Sequence, residues 1–426
     1  KSMKSYELYG NAPTGIPYEE LFNTIRDGLA ADQGRIKKLL IIPPDFTRYH
    51  SFAGQITNCI YNFMKDSCHI DILPALGTHV AMNEEECKEM FGDIPFDKFI
   101  VHNWRNDVVK IGTVDGSYVG SVSEGLVTDP IDVEVNKLIL DPSYDLILSI
   151  GQVVPHEVVG MANRNKNIFV GCGGSSMINT SHMLGAFYGM ERIMGKDFSP
   201  VRKVFDYAET QYIPHIRLSY ILTVNTVVDG QIAVHGLFAG RERSYFEKAV
   251  ALSQQKNLTF VDKPFKKVVV NLDEKEFKST WLGNKAVYRT RMAIADEGDL
   301  IILAPGADKF GEDPAIDALI REYGYCGRIN VLQLCKDHED LRGNLSAAAH
   351  LIHGSSDDRF RITYCTRHLT QEEVTGVHFN YVPYDEIIKK YNPDTLVDGY
   401  NTLPDGEEIY YISNPALGLW ADKAKF

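Results

Sequence analysis
The 426-residue sequence has no CxxC pair, no run of 18 apolar residues, no Lys/Arg run longer than three and no GxGxxG after a strand-like segment. Each absence removes a class of function. Seven cysteines, an odd number without metal-ligand spacing, fit free thiols in a reducing compartment better than a disulfide frame or a zinc knuckle. The lack of a long apolar run leaves no candidate transmembrane helix. The opening KSMKSYELYG lacks the apolar centre of a signal peptide, so cytoplasm is the expected compartment. A net charge of -13 without basic runs argues against a nucleic-acid partner, because phosphate binding needs cationic surface. Without the glycine fingerprint, a Rossmann-type dinucleotide site is disfavoured. No repeat or low-complexity tract is evident.

What is present suits two domains, since 426 residues exceed one ordinary core and 44% hydrophobic residues can fill two. Tyr18–Ala31 has a helical apolar period. Lys38–Ile42 (KLLII) then reads as a buried strand, followed by the loop DFTR, a helix over Phe52–Met64 and a strand over Ile70–Leu76. That βαβ order implies a parallel sheet with helices on its faces. Asn83 is placed to cap a helix with acids in its first turn. Phe99–Val101, Val108–Ile111 and Leu146–Ile150 read as strands, and Arg217–Val228 with Gln231–Leu237 as a hairpin turning on Asp229-Gly230, before a helix over Glu242–Gln255. From about residue 263 the rhythm restarts. Strands are expected at Lys267–Asn271, Leu300–Leu303, Ile329–Leu334 and Phe360–Tyr364, and helices at Asn284–Asp296, Pro314–Tyr323, Ser346–His353, Gln371–Gly376 and Tyr384–Tyr391. The expected fold is therefore α/β, with two mainly parallel α/β domains, 1–262 and 263–399, an active-site cleft between them, and residues 400–426 as candidates to pack back on the first.

Ligands of such sheets collect at the carboxyl ends of the strands. Asp45, Thr47 and Arg48 follow one strand and Gly77-Thr78-His79 the next. An Asp beside a His fixes its tautomer and prepares a general base, and an Arg fork can clamp a carboxylate or phosphate. Helix capping by Asp45 and a half-buried loop His79 are the blander alternatives, and His102 is a weaker rival base. The segment Gly151–His182 holds His156, Lys166 and His182 at separations of ten and sixteen, with Glu157 as its single acid. A lysine beside other cations can have its pKa lowered enough to act as a nucleophile, or can simply be solvated. The glycines of GCGGSS fit a phosphate cradle, although their spacing is not that of a P-loop.

In combination, DFTR, GTH and the spaced His-Lys-His, followed by a second α/β domain, resemble the nickel-dependent lactate racemase family over essentially the whole chain. The resemblance implies a 2-hydroxy acid racemase or epimerase that works by reversible hydride transfer through a 2-keto acid. Its cofactor would be a nickel pincer nucleotide, a pyridinium mononucleotide with two thio groups, tethered to lysine. Carried over, Lys166 is the tether and His182 the nickel ligand. His79 and His156 are the acid/base pair, with Asp45 orienting His79. Arg48 and Lys285 hold the substrate carboxylate, and Thr47 and Arg164 contact the cofactor. Partners would be a small 2-hydroxy carboxylate and the cofactor-making enzymes that load the protein. Two bases make chemical sense, because enantiomers held by the same carboxylate present their hydroxyls to opposite sides. A soft nickel centre bound by sulfur and imidazole suits the hydride acceptor.

Two departures point away from lactate itself as substrate. Ala162-Asn163-Arg164-Asn165 stands where the family has a Ser/Gly-rich run, and Leu282 stands where its lactate enzymes carry Gln, three residues before Lys285. Two other functions compete: a nicotinamide-dependent 2-hydroxy acid dehydrogenase, and a non-catalytic protein that binds nickel or a nucleotide.

Overall fold
The computed structural model describes residues 3–426, which divide into two compact units. The first comprises 1–185 and 192–257, and the second 186–191 and 258–426. No helix among the described residues is long and apolar enough to cross a membrane.

The first unit is built on a six-stranded sheet. From edge to edge it runs Tyr6–Tyr9, Gln231–Ala239, Leu218–Val228, Leu146–Gln152, Lys38–Ile42 and His69–Ile72. The last four strands are mutually parallel, and the first two extend the sheet antiparallel. Leu39 to Ile42 are fully buried, as both faces of a helix-covered parallel sheet require. Helix Tyr18–Leu29 turns Leu21, Ile25 and Leu29 to one face, and helix Ala53–Met64 does the same with Ile56, Ile60 and Met64. These residues share one core with Leu39, Ile41, Ile70 and Leu148. Each buried aliphatic side chain contributes roughly 1.5–3 kcal/mol. Asn83 does cap helix Glu84–Phe91, in a reciprocal capping box with Glu86. The hairpin turns on Asp229 and Gly230, both at positive φ (51° and 77°). Phe99–Val101 forms no strand. Ile100 N–H merely extends the sheet edge by bonding Ile72 O at 2.7 Å.

The second unit's sheet runs Asn380–Tyr381, Arg361–Thr366, Ile294–Ala304, Phe265–Asn271, Glu408–Ile412 and Gly399–Thr402, parallel except for the last strand. Residues 400–426 group with the second unit: Glu408–Ile412 pairs with Phe265–Asn271, and Trp420–Asp422 with Thr259–Val261. Two expectations fail here. Ile329–Leu334 is not a strand but part of helix Arg328–Asp337. Only Val331 and Cys335, four apart, are buried there, while Ile329 is 75% exposed, so the run has one buried helical stripe. Asn284–Asp296 is not one helix. Two single turns, Thr280–Gly283 and Lys285–Tyr288, are followed by the long strand from Ile294, whose parallel pairing with Phe265 claims the end of the segment.

Candidate active site
Three neighbouring parallel strands, His69–Ile72, Lys38–Ile42 and Leu146–Gln152, end on one edge of the first sheet. Their continuations carry His79, Asp45 to Arg48, and His156, in that order. Pro43 and Pro44 follow the middle strand, and the ladder runs on only as Ala75 N–H to Pro43 O at 2.8 Å. Asp45 then turns inward, its side chain 7% exposed. One carboxylate oxygen meets His79 Nδ1 at 2.8 Å, and the other accepts the Thr47 hydroxyl at 2.5 Å. Burial raises the Asp45 pKa, but the hydrogen bonds from His79 and Thr47 outweigh it and the net shift is downward. An ionised Asp45 accepts His79 Nδ1–H and leaves the Nε2 lone pair to the open side, where the ring is 58% exposed.

The other two histidines are fixed as distinct tautomers. His156 lies in a two-residue ladder with Gly160, and its Nδ1 accepts Val158 N–H at 3.1 Å, so the neutral ring carries its proton on Nε2. Burial drives its pKa well below the usual value. Glu157 opposes that, whereas Lys166, Arg48 and His182 reinforce it. His182 is not at a helix start but in the middle of helix Ser175–Tyr188, where Nδ1–H is donated to Ile178 O at 2.5 Å. Its Nε2 is thus the lone-pair nitrogen that a metal would use.

Lys166 directly precedes a π-helical turn, Asn167–Gly171, a geometry common at functional sites. Burial lowers its pKa to about 8, assisted by the charges of Arg48 and Arg202 and opposed by Glu157 and Asp45. Gly171 O accepts Gly77 N–H at 2.8 Å, which ties the π-turn to the loop carrying His79. A Cβ at Gly171 would sit 2.4 Å from that of Ala75, so the two segments meet only because one of them lacks a side chain. Asp45, Arg48, His156, Lys166 and His182 therefore share one electrostatic neighbourhood, which His79 joins through Asp45.

Other expectations are corrected. Arg164 is not available to a cofactor. Its guanidinium is buried, contacts Asp206 and Glu209 at 3.5 Å, donates to Arg241 O at 2.8 Å and lies over the Tyr220 ring. The cradle suggested by GCGGSS is a packing device. A Cβ at Gly173 would fall 1.8 Å from Phe169 O, and one at Gly174 would fall 2.5 Å from the Glu134 carboxylate. Gly173→Ala should accordingly destabilise the unit by about 1–3 kcal/mol, the usual range for overpacking, visible as a lower Tm. His102 is a structural histidine, held between Asn136 Nδ2 and Gly173 O, both at 2.9 Å. The Thr47 hydroxyl is spent on Asp45. Lys285 lies in the second unit, in the turn Lys285–Tyr288.

Sequence reasoning gave no role to two residues. Glu157 is the acid whose charge acts on His156, Lys166 and His182 together. Arg202 sits on helix Pro200–Tyr212 among the buried Val201, Val204, Phe205 and Ala208. An arginine on the apolar stripe of an amphipathic helix was the available signal.

Among the described residues no three His, Cys, Asp or Glu side chains cluster to hold a metal. A metal on His182 would take its other donors from a cofactor. The sulfur donors of a pincer nucleotide would supply them, and a lysine with its pKa near 8 is a fitting point of attachment.

Fold and site together define an α/β protein of two units with a histidine, lysine and carboxylate site at the carboxyl edge of its first parallel sheet. Residues 26–194 match the lactate racemase N-terminal domain. Among solved structures it is similar to a structural-genomics target protein from Thermotoga maritima, with a TM-score of 0.76, 24% identity, 98% of this chain and 100% of that one covered. It is also similar to the lactate racemase apoprotein from Thermoanaerobacterium thermosaccharolyticum, with a TM-score of 0.71, 18% identity, and 98% and 99% coverage. At these identities the two structures speak for the fold. No curated protein matches the sequence.

Proposed function
We propose that the protein is an isomerase that racemises or epimerises a 2-hydroxy acid other than lactate. The observation that carries this reading is the Asp45–His79 pair at 2.8 Å in the same polar neighbourhood as a lysine with its pKa lowered to about 8. When bound, a nickel pincer nucleotide attached to Lys166, with His182 as nickel ligand, supplies a hydride acceptor for the substrate C2. The chain's own residues do the rest. Arg48 binds the carboxylate and orients the molecule. His79 Nε2 takes the hydroxyl proton as the C2 hydrogen departs, and Asp45 stabilises the imidazolium that results. His156 is the partner on the other side of the substrate. In its neutral form it offers Nε2–H to the substrate oxygen. It accepts a proton at that atom only when its own proton moves to Nδ1 and the contact with Val158 N–H is given up. Cofactor-making enzymes are the partners required for loading.

The reading is tested by incubating loaded protein with a panel of 2-hydroxy acids deuterated at C2. Interconversion of epimers with the label retained is expected. Epimers that exchange their label with water, or no interconversion across the panel, overturn it. A nicotinamide-dependent dehydrogenase would instead need added NAD, and a nickel or nucleotide carrier would bind its ligand and convert nothing. His182→Ala should leave the mass adduct on Lys166 in place but weaken nickel retention by more than the ~10–100-fold that loss of an outer-shell partner costs, as read by metal analysis after gel filtration.

A further inference from the structure
We infer that Arg202 is a positioning residue for Lys166: its buried guanidinium holds the segment Met161–Asn165 in the double left-handed turn from which Lys166 is presented. The inference rests on the reading of Lys166 as the attachment point. Two successive non-glycine residues, Asn163 and Arg164, have φ of 77° and 54°, a conformation that L residues avoid and that persists only when the surroundings impose it. What imposes it here is visible. Arg202 is completely buried, and its Nη1 donates to Asn163 O at 2.9 Å and to Asn165 Oδ1 at 2.6 Å. Its Nη2 donates to Met161 O at 2.6 Å. Three acceptors spread over five residues are thus gathered by one planar group, which a lysine ammonium on a flexible stem does not reproduce. The turn is braced on its far side as well. The Asn163 carboxamide packs against Gly151, where a Cβ would lie 1.6 Å from Asn163 Nδ2, and Asn165 Nδ2 donates to Asp206 at 2.7 Å.

The acceptors of Arg202 are all neutral. Asp197 and Asp206, the acids nearby, act on Arg202 only through space; their close contacts are with Arg243, at 2.5 and 3.0 Å, and for Asp206 also with Arg164 and Asn165. Lys166 is one of the groups that feels the Arg202 charge. Clamp and charge work in the same direction: a fixed backbone keeps the Lys166 amine in its desolvated position, and the neighbouring cation favours its neutral form.

The test uses the full-length protein purified without cofactor, so that it does not depend on loading. Rates of Lys166 acetylation by acetic anhydride at pH 7.5 are measured by peptide mass spectrometry against exposed lysines of the same chain. An amine with a pKa of about 8 is far more reactive there than one near 10.5. Arg202→Met should slow Lys166 labelling at least ~10-fold while the reference lysines keep their rates. Arg202→Lys, which restores charge without the planar group, should recover only part of the loss. Asn165→Ala removes one acceptor and should slow labelling about 2–5-fold, within the range of one lost hydrogen bond; it decides the matter should Arg202→Met not fold. Unchanged Lys166 reactivity in a folded Arg202→Met protein, or in Asn165→Ala, overturns the inference. Absence of any adduct on Lys166 in loaded wild-type protein would instead overturn the attachment reading and leave the labelling result standing.

Discussion
Lys166→Ala protein, co-expressed with the cofactor-making enzymes, should emerge at its bare polypeptide mass, whereas the wild-type chain should carry a covalent adduct. Its epimerisation of any 2-hydroxy acid should drop to the uncatalysed background, a loss of more than ~10⁶-fold by the lower end of ordinary enzymatic acceleration. The size of the effect follows from the division of labour proposed above, in which the cofactor would carry the hydride. The unit should still fold. Lys166 is a half-buried cation whose charged form is penalised by burial and by Arg48 and Arg202, so its removal relieves electrostatic strain. The sign can be checked directly. A lysine whose folded pKa lies below its unfolded value binds fewer protons in the folded state, so wild-type apoprotein should gain stability as pH rises from about 8 towards 10.5, relative to Lys166→Ala. Parallel pH–melting curves for the two proteins would contradict the assignment of a low-pKa amine.

His79→Ala should lower kcat of loaded enzyme by about 10²–10⁴-fold, the range of a lost general base, with nickel content and adduct mass unchanged. Asp45→Asn should approach the same loss, because an amide can offer its N–H to His79 Nδ1 and stabilise the wrong tautomer. The geometry requires the two effects to be non-additive: with His79 gone, Asp45 has nothing to orient. A double variant that loses the product of the two factors would argue that they act separately. Asp45 also sets the pH window. Its carboxyl is held below its ordinary 3.8, so its contribution to the pair is present above that value and is lost only as pH falls through the lowered one. An acid limb of kcat/KM above pH 4 therefore does not come from Asp45.

Much of this site could be read from the chain alone, for a definite reason. In a parallel sheet each strand must end where the next loop begins, so KLLII followed by PPDFTR, and the following strand by GTH, place Asp45 and His79 on one edge before any coordinate is known. Arg164 shows the opposite case. Nothing local distinguishes a phosphate-binding arginine from one buried against Asp206 and Glu209, because its partners lie more than 40 residues away. The same holds for the glycines of GCGGSS, whose need is set by Phe169 O and Glu134 and not by a ligand. In the second unit, Ile329–Leu334 misled because a short apolar run suits strand and helix alike until burial selects one face.

The sequence by itself determined the α/β rhythm and the types and spacing of the chemical groups, since these depend on periodicity and on side-chain identity. Only the tertiary structure decided which nitrogen of His79, His156 and His182 carries the proton, that Lys166 is a low-pKa amine and that Arg202 stands behind it. Those properties arise from hydrogen bonds and charges contributed by distant segments, in an interior where a few ångströms decide whether a group is charged.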